Sequence, residues 1–224
     1  MSNSFNAPVT PGAVWQAGPH RFYCGDALEL WESGRWSDIF PVMDAVYTDP
    51  PWNAAIRHTF ARLAQVPAPS EAFEDFLRRI VELLRGICPS GRLAVEMGLA
   101  HFSHLQSLLA EQGATMHGEG MATYGRPPRP SAAWFGSFKE SATSRLAAGS
   151  LHGPALCEYA LDFVASPLGG ASARTFCDPF CGQLVFVRAA MKRDLICYGC
   201  ELIPAKLARG LSLLSAYWEV ERVQ

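Results

Sequence analysis

Met43-Asp44-Ala45-Val46-Tyr47-Thr48-Asp49-Pro50-Pro51-Trp52 is the stretch on which the reading of this chain turns. Its first six residues read as a strand. Two successive prolines cannot continue a hydrogen-bonded ladder, so the strand must end where Asp49-Pro50-Pro51-Trp52 begins. In open α/β sheets ligands bind beyond the carboxyl ends of the strands, and the tetrapeptide falls there.

Working outward, Arg21–Cys24 reads as a strand that leads through Gly25-Asp26 into a helix over Ala27–Ser33. The first 18 residues are proline-rich and lack periodicity, so they are expected to form an arm or loop. Downstream, Phe73, Phe76, Leu77, Ile80, Leu83 and Leu84 recur at three- and four-residue spacing, which predicts an amphipathic helix over Ser70–Gly86 with Ser70 as N-cap. Pro89-Ser90-Gly91 turns into a strand at Arg92–Met97, and a helix over His101–Gln112 follows, stopped by Gly113. His101 and His104 share a face of that helix; with no third ligand beside them they read as packing or surface residues. Met116–Ser150 breaks the rhythm with Gly, Pro, Ser and Arg, and is expected to be an inserted recognition region or long loop. The alternation resumes with a helix at Pro154–Ala165 and a strand at Arg174–Cys177, which runs into Asp178-Pro179-Phe180-Cys181-Gly182. A helix at Leu184–Lys192, a strand over Asp194–Cys200 ending at Glu201, and a helix at Pro204–Trp218 complete the chain. Strands separated by helices imply an α/β fold with a doubly wound parallel sheet: one domain over residues 19–224, with residues 116–150 inserted.

Composition narrows the class. Apolar residues make up 49% and charged residues 18%, as in an ordinary globular protein. No apolar run reaches the roughly 18 residues that span a bilayer, so a cytoplasmic protein without a membrane partner is expected. Cys177, Cys181, Cys197 and Cys200 have a spacing that superficially suits zinc, but they lie in runs that read as buried strands, and no metal is assigned. The net charge of −2 draws no nucleic acid globally. Locally, Arg126, Arg129, Lys139 and Arg145 face one acid, Glu140, and are candidates for phosphate contacts.

The tetrapeptide suits one chemistry in particular. An exocyclic amine on a nucleobase is a poor nucleophile because its lone pair is delocalised into the ring. Asp49 and the carbonyl of Pro50, held by the stiffness of Pro50-Pro51, form a preorganised pair of acceptors for its two N–H groups. Trp52 offers a face on which a flipped base can stack, worth roughly 1–3 kcal/mol. The same residues also form ordinary turns, Asp26 also suits a helix cap, and Glu201 also suits a solvated strand end.

The ordered set resembles the circularly permuted, beta-type amino-methyltransferases that modify adenine-N6 or cytosine-N4 in DNA. The resemblance implies a Rossmann-like methyltransferase sheet, with S-adenosylmethionine as cofactor and DNA as partner, RNA being a weaker alternative. It implies Asp49, Pro50, Pro51 and Trp52 as the catalytic loop. It also implies Asp26 at the cofactor's adenine amine and Asp178, Pro179, Phe180 and Gly182 around its methionine part, with Glu201 at its ribose hydroxyls. Aspartate as first residue of the tetrapeptide favours adenine within that family. The chain departs from the family at Gln183 and Leu184, where a small residue and a glycine are usual. A leucine there is expected either to narrow the methionine pocket or to force a different loop path. A cofactor-defective nucleic-acid-binding protein is the alternative, and so few base-reading residues imply a short or relaxed target sequence.

Overall fold

The computed structural model describes Phe5 and residues 7–124, 129–139, 146–166 and 172–224. The elements in chain order are β1 (Val14–Ala17), β2 (His20–Cys24), α1 (Ala27–Glu32), α2 (Trp36–Ile39), β3 (Ala45–Thr48) and α3 (Ala54–Ala64). There follow α4 (Phe73–Ile87), β4 (Arg92–Gly98), α5 (Leu99–Glu111), β5 (Thr115–Tyr124), β6 (Arg129–Ser137) and β7 (Leu146–His152). The chain ends with α6 (Gly153–Ala165), β8 (Thr175–Asp178), α7 (Val185–Met191), β9 (Ile196–Glu201), α8 (Pro204–Leu214) and β10 (Val220–Arg222).

The strands form one sheet in the order β10-β1-β2-β9-β8-β3-β4-β6-β5-β7. Its centre, from β2 through β9, β8 and β3 to β4, is parallel. Chain direction diverges at the middle, since β8 leads through α7 to β9 on one side and β3 leads to β4 on the other. That divergence opens a crevice at the carboxyl ends, where ligands bind in this architecture. Side chains alternate strictly between two cores: Val46, Leu93, Val95 and Cys177 pack with α1, α2, α4 and α5. Tyr47, Ala94, Phe135 and Phe176 pack with α6, α7 and α8 on the other face.

Several expectations need correction. The first 18 residues are not all arm: β1 pairs antiparallel with β2 and β10, because Val14, Trp15 and Ala17 are apolar enough to be buried. Within residues 116–150 the described residues form mostly sheet, not loop. β6 runs antiparallel between β4 and β5, buried on both faces through Ala132 and Trp134 on one side and Ala133 and Phe135 on the other. Ser70 does not cap α4, which starts at Phe73 with Ala72 in the cap position and no side-chain bond. The last helix stops at Leu214, and the chain turns back to add β10 at the sheet edge. A further helix, α3, directly follows Asp49-Pro50-Pro51-Trp52; Asn53 caps it, its Oδ1 accepting the Ile56 amide at 2.9 Å.

Cys177 and Cys200 lie in one core and Cys181 and Cys197 in the other, so the sheet itself separates the four thiols. His101 packs against Phe73, ring centroids 4.5 Å apart. Among the described residues no helix is long and apolar enough to cross a membrane.

His20 is buried in the sheet, and its Nδ1 accepts the Cys197 amide at 3.0 Å, so the ring is held neutral. Burial lowers its pKa to about 4. Below pH 6.5 the unfolded chain takes up a proton that the folded chain refuses, so this residue removes stability as pH falls from 6.5 to 4. Relative to His20→Gln, which keeps an acceptor but does not titrate, the natural chain should lose about 3 kcal/mol over that window in urea unfolding. A difference between the two that does not change with pH would remove His20 from the acid response.

Candidate active site

The carboxyl ends of β3 and β8 are joined by a buried hydrogen bond from Thr48 Oγ1 to Asp178 Oδ1 at 3.1 Å. The same oxygen accepts the Phe180 amide at 3.0 Å, which sets the start of the loop 178–184. Asp178 is 1% exposed and does not line the cavity; it shapes the loop from beneath. Burial pushes its pKa up to about 7, against the pull of the Phe180 and Thr48 bonds.

Above this junction lies a cavity of about 580 Å³, within the size range of small-ligand sites. Asp26, Asp49, Pro179, Phe180, Gly182 and Glu201 all reach its wall, together with Pro51 and Lys206. Asp26 and Glu201 are brought side by side by the backbone bond from Gly25 N to Glu201 O at 2.9 Å. Asp26 also caps α1, but Leu28 N and Glu29 N both bond Oδ1, so the cap uses one oxygen. Glu201 is not a solvated strand end: it is 6% exposed, and its Oε1 accepts the Ile203 amide at 2.7 Å. Burial raises its pKa.

Asp49 takes an indole N–H from Trp52 at 2.5 Å, across one turn of the tetrapeptide. Its carboxyl is pushed well above the usual range, first by burial and then by the charge of Glu96. Trp52 is half-buried against Gly98, where an added Cβ would stand 3.1 Å from the Trp52 Cβ, so a glycine there makes room for the indole. Pro50 is buried and Pro51 faces the cavity. A second cavity, of about 810 Å³, begins on the other side of Asp49 and runs past Phe186 and Cys157 to Arg188. Asp49 and Phe186 therefore stand between two spaces.

The helix α3 roofs the first cavity from outside both cores, burying only Ala61 and Ala64. It is held by polar contacts instead. The Arg57 guanidinium stacks 3.8 Å above the Phe76 ring and bonds Glu71 at 2.5 Å, and Lys206 sits 3.9 Å above the Phe60 ring. None of Arg57, Phe60, Phe186 and Lys206 stands out in the sequence. Only the cap Asn53 and the run of helix formers after it signalled α3, because a helix outside the cores has no apolar stripe.

Leu184 does not narrow the cavity. Its backbone is left-handed (φ 58°, ψ 33°), the conformation a glycine takes readily. Its side chain is 1% exposed and packs in the core under α7 and α8, away from the cavity wall, which Gln183 lines. Gly210 in α8 makes the room: a Cβ there would come within 2.5 Å of the Leu184 Cγ. A leucine in this conformation costs roughly 1–2 kcal/mol, which burial of its side chain offsets.

The two predicted phosphate contacts among the described residues, Arg129 and Lys139, are not together. Arg129 opens β6 beside the carboxyl end of β4, beyond the Ser131–Gly98 pair. Lys139 follows the far end, where Ser137 pairs with Arg92, about 26 Å away at 3.3 Å per residue. Lys139 thus follows the end of β6 opposite to Arg129. Arg126 and Arg145 lie outside the described residues.

Gly210→Ala should destabilise the fold by about 1–3 kcal/mol through overpacking against Leu184. Leu184→Gly should cost about 2–3 kcal/mol, its cavity outweighing the relieved backbone strain. Combined, the two substitutions should cost at least 1 kcal/mol less than their sum. Additive denaturation midpoints would show that Leu184 does not depend on Gly210.

No family model matches the chain, and no curated protein matches its sequence. Solved structures do match its fold. M1.HpyAVI superposes with a TM-score of 0.61 at 17% identity, over 86% of this chain and 97% of its own. TTHA0409 of Thermus thermophilus, proposed to be a DNA modification methylase, was solved with S-adenosyl-L-methionine and matches with a TM-score of 0.57 at 17% identity, over 88% and 93%. The PvuII cytosine-N4-specific DNA methyltransferase matches with a TM-score of 0.63 at 14% identity, over 96% and 90%. The chain has the fold of these methyltransferases, built on the same α/β sheet.

Proposed function

We propose that the chain transfers a methyl group from S-adenosylmethionine to an exocyclic amine of a base in DNA, with adenine N6 as the preferred acceptor. The observation that carries this reading is the single cavity wall that gathers Asp26, Glu201 and Asp49 from three separate strand ends. Two neighbours of the same fold, M1.HpyAVI and TTHA0409, were solved with that cofactor.

The residues fit the cofactor. Its amine and ribose hydroxyls are donors, and Asp26 and Glu201 are acceptors placed next to one another. Nothing stands within 4 Å of the space a Cβ would take on Gly182, where φ is +56°, so the loop offers open backbone to a ligand. When bound, the cofactor supplies an electrophilic methyl carbon on a positively charged sulfur. Asp49 accepts an N–H of the target amine, drawing electron density back to its nitrogen. The Pro50 carbonyl is the second acceptor in this reading. Trp52 fixes Asp49 by its own N–H, so the acceptor is oriented before the base arrives. Arg129, beside the carboxyl end of β4, is a phosphate contact.

Adenine over cytosine rests on aspartate as first residue of the tetrapeptide. A cytosine-N4 acceptor is the second reading, favoured by the PvuII enzyme among the fold neighbours.

Calorimetry should show S-adenosylmethionine binding and a raised thermal midpoint. Asp49→Ala should lower tritium transfer to duplex DNA by on the order of 10²–10³-fold while changing cofactor affinity little. Nucleoside analysis should find N6-methyladenine; N4-methylcytosine would select the second reading. Absence of both binding and transfer would leave a methyltransferase fold that only binds nucleic acid.

A further inference from the structure

Two cavities meet at Asp49. The first has Asp26, Glu201 and the open backbone of Gly182 on its wall, so it carries the acceptors that suit the cofactor. The second, of about 810 Å³, has none of these three. Asp49, Val185 and Phe186 line both and form the boundary between them. Displacement at a methyl carbon requires the incoming amine on the side opposite the departing sulfur. With the cofactor's acceptors on one side of the boundary, the amine has its approach to Asp49 from the other.

The walls of the second cavity suit a nucleotide. Helix α7 buries Val187 and Ala190 in the core, while Val185, Arg188, Ala189 and Lys192, at three- and four-residue spacing, face the cavity. Arg188 and Lys192 are exposed, one helical turn apart, and form no ion pair among the described residues. Besides Asp49, the acid on this wall is Glu158 of α6, and Arg193 already pairs with it at 2.9 Å. The two cations therefore set the charge of the outer part, which favours backbone phosphates. Tyr217, 65% exposed, adds a ring to the same wall. Rings beside cations are the combination that holds an unpaired base and its backbone.

At the inner end the ring that meets the cavity is that of Phe186. The Tyr47 ring lies 4.1 Å from it at an interplanar angle of 38°, which supports it on the side of the sheet. Trp52, the residue expected to stack on the base, gives its N–H to Asp49, sits against Gly98 and lines neither of these two cavities. We propose that the second cavity receives the acceptor nucleotide of DNA, its base against Phe186 with the amine at Asp49, and its backbone phosphates at Arg188 and Lys192. This rests on the reaction proposed above and names where its acceptor binds.

Two paired substitutions test the cavity. Arg188→Gln with Lys192→Gln removes two charges from its wall, and Arg78→Gln with Arg222→Gln removes two from places that line neither cavity. Binding of a fluorescein-labelled, mixed-sequence DNA duplex is followed by anisotropy over a range of salt concentrations. The first pair should raise Kd about tenfold or more at low salt and lower the slope of log Kd against log salt by about 2. The second pair should change neither. Equal effects of the two pairs would overturn the assignment of the cavity. Phe186→Leu, which keeps an apolar side chain and removes the ring, should lower kcat/KM for DNA about tenfold or more. Cofactor affinity by calorimetry should hardly move. Lost cofactor affinity with an unchanged KM for DNA would place Phe186 in the cofactor site alone and overturn its role. Absence of any methyl transfer by the natural chain would overturn the reaction, while the salt slopes would still decide whether the second cavity binds DNA.

Discussion

A hydrogen bond 3.1 Å long, from the hydroxyl of Thr48 to the carboxylate of Asp178, holds this molecule's site together. It spans the point at which the chain leaves the sheet in opposite directions, through β3 on one side and β8 on the other. Sheet geometry alone makes a crevice there. The bond fixes how the two loops that enclose it sit against each other. Because Asp178 also takes the Phe180 amide, one buried carboxylate sets the end of β3 and the start of the loop 178–184 together. Desolvation makes such a group expensive when ionised, and its pKa of about 7 records that expense.

The site is a graded arrangement of acids. Asp26 and Glu201 are at the cavity wall and are bonded chiefly to backbone amides, which orient them while leaving them accessible. Asp49, partly buried, stands between two cavities and is bonded by an indole N–H. Glu96 has no exposed surface. Depth and partner type, more than residue type, separate their roles, since a carboxylate's affinity for protons follows its solvation and its neighbours' charges. Among the described residues Lys206 is a cation within reach of both Asp49 and Glu201, and it also braces α3 through Phe60, so the roof of the cavity and its charge balance share a side chain.

Leu184 shows how a departure from a family's loop pattern can be absorbed. The backbone keeps the left-handed turn a glycine would make, and the extra side chain is sent into the core against Gly210. The glycine needed by the loop is in effect replaced by one 26 residues later, in a helix. The leucine side chain packs on the far side of the loop and does not line the cavity.

The sequence by itself determined the alternating α/β plan, the ends of β3 and β8, and the acids that follow those ends. These features rest on short-range rules: two prolines stop a ladder, and periodic apolar residues make helices. The strands of residues 115–152 were not legible, because a strand buried on both faces, such as Ser131–Ser137, shows no alternation, and its small residues Ala132, Ala133 and Gly136 carry no strand signal. Val14–Ala17 was too short to show a period, and α3 lies outside the cores that produce one. Only the tertiary structure decided that Arg129 and Lys139 stand at opposite ends of β6, that Leu184 points away from the cavity, and that Glu96 lies beside Asp49. Each of these depends on which strands become neighbours and in what register, and contacts between residues tens of positions apart are set by burial of the whole sheet, not by local sequence.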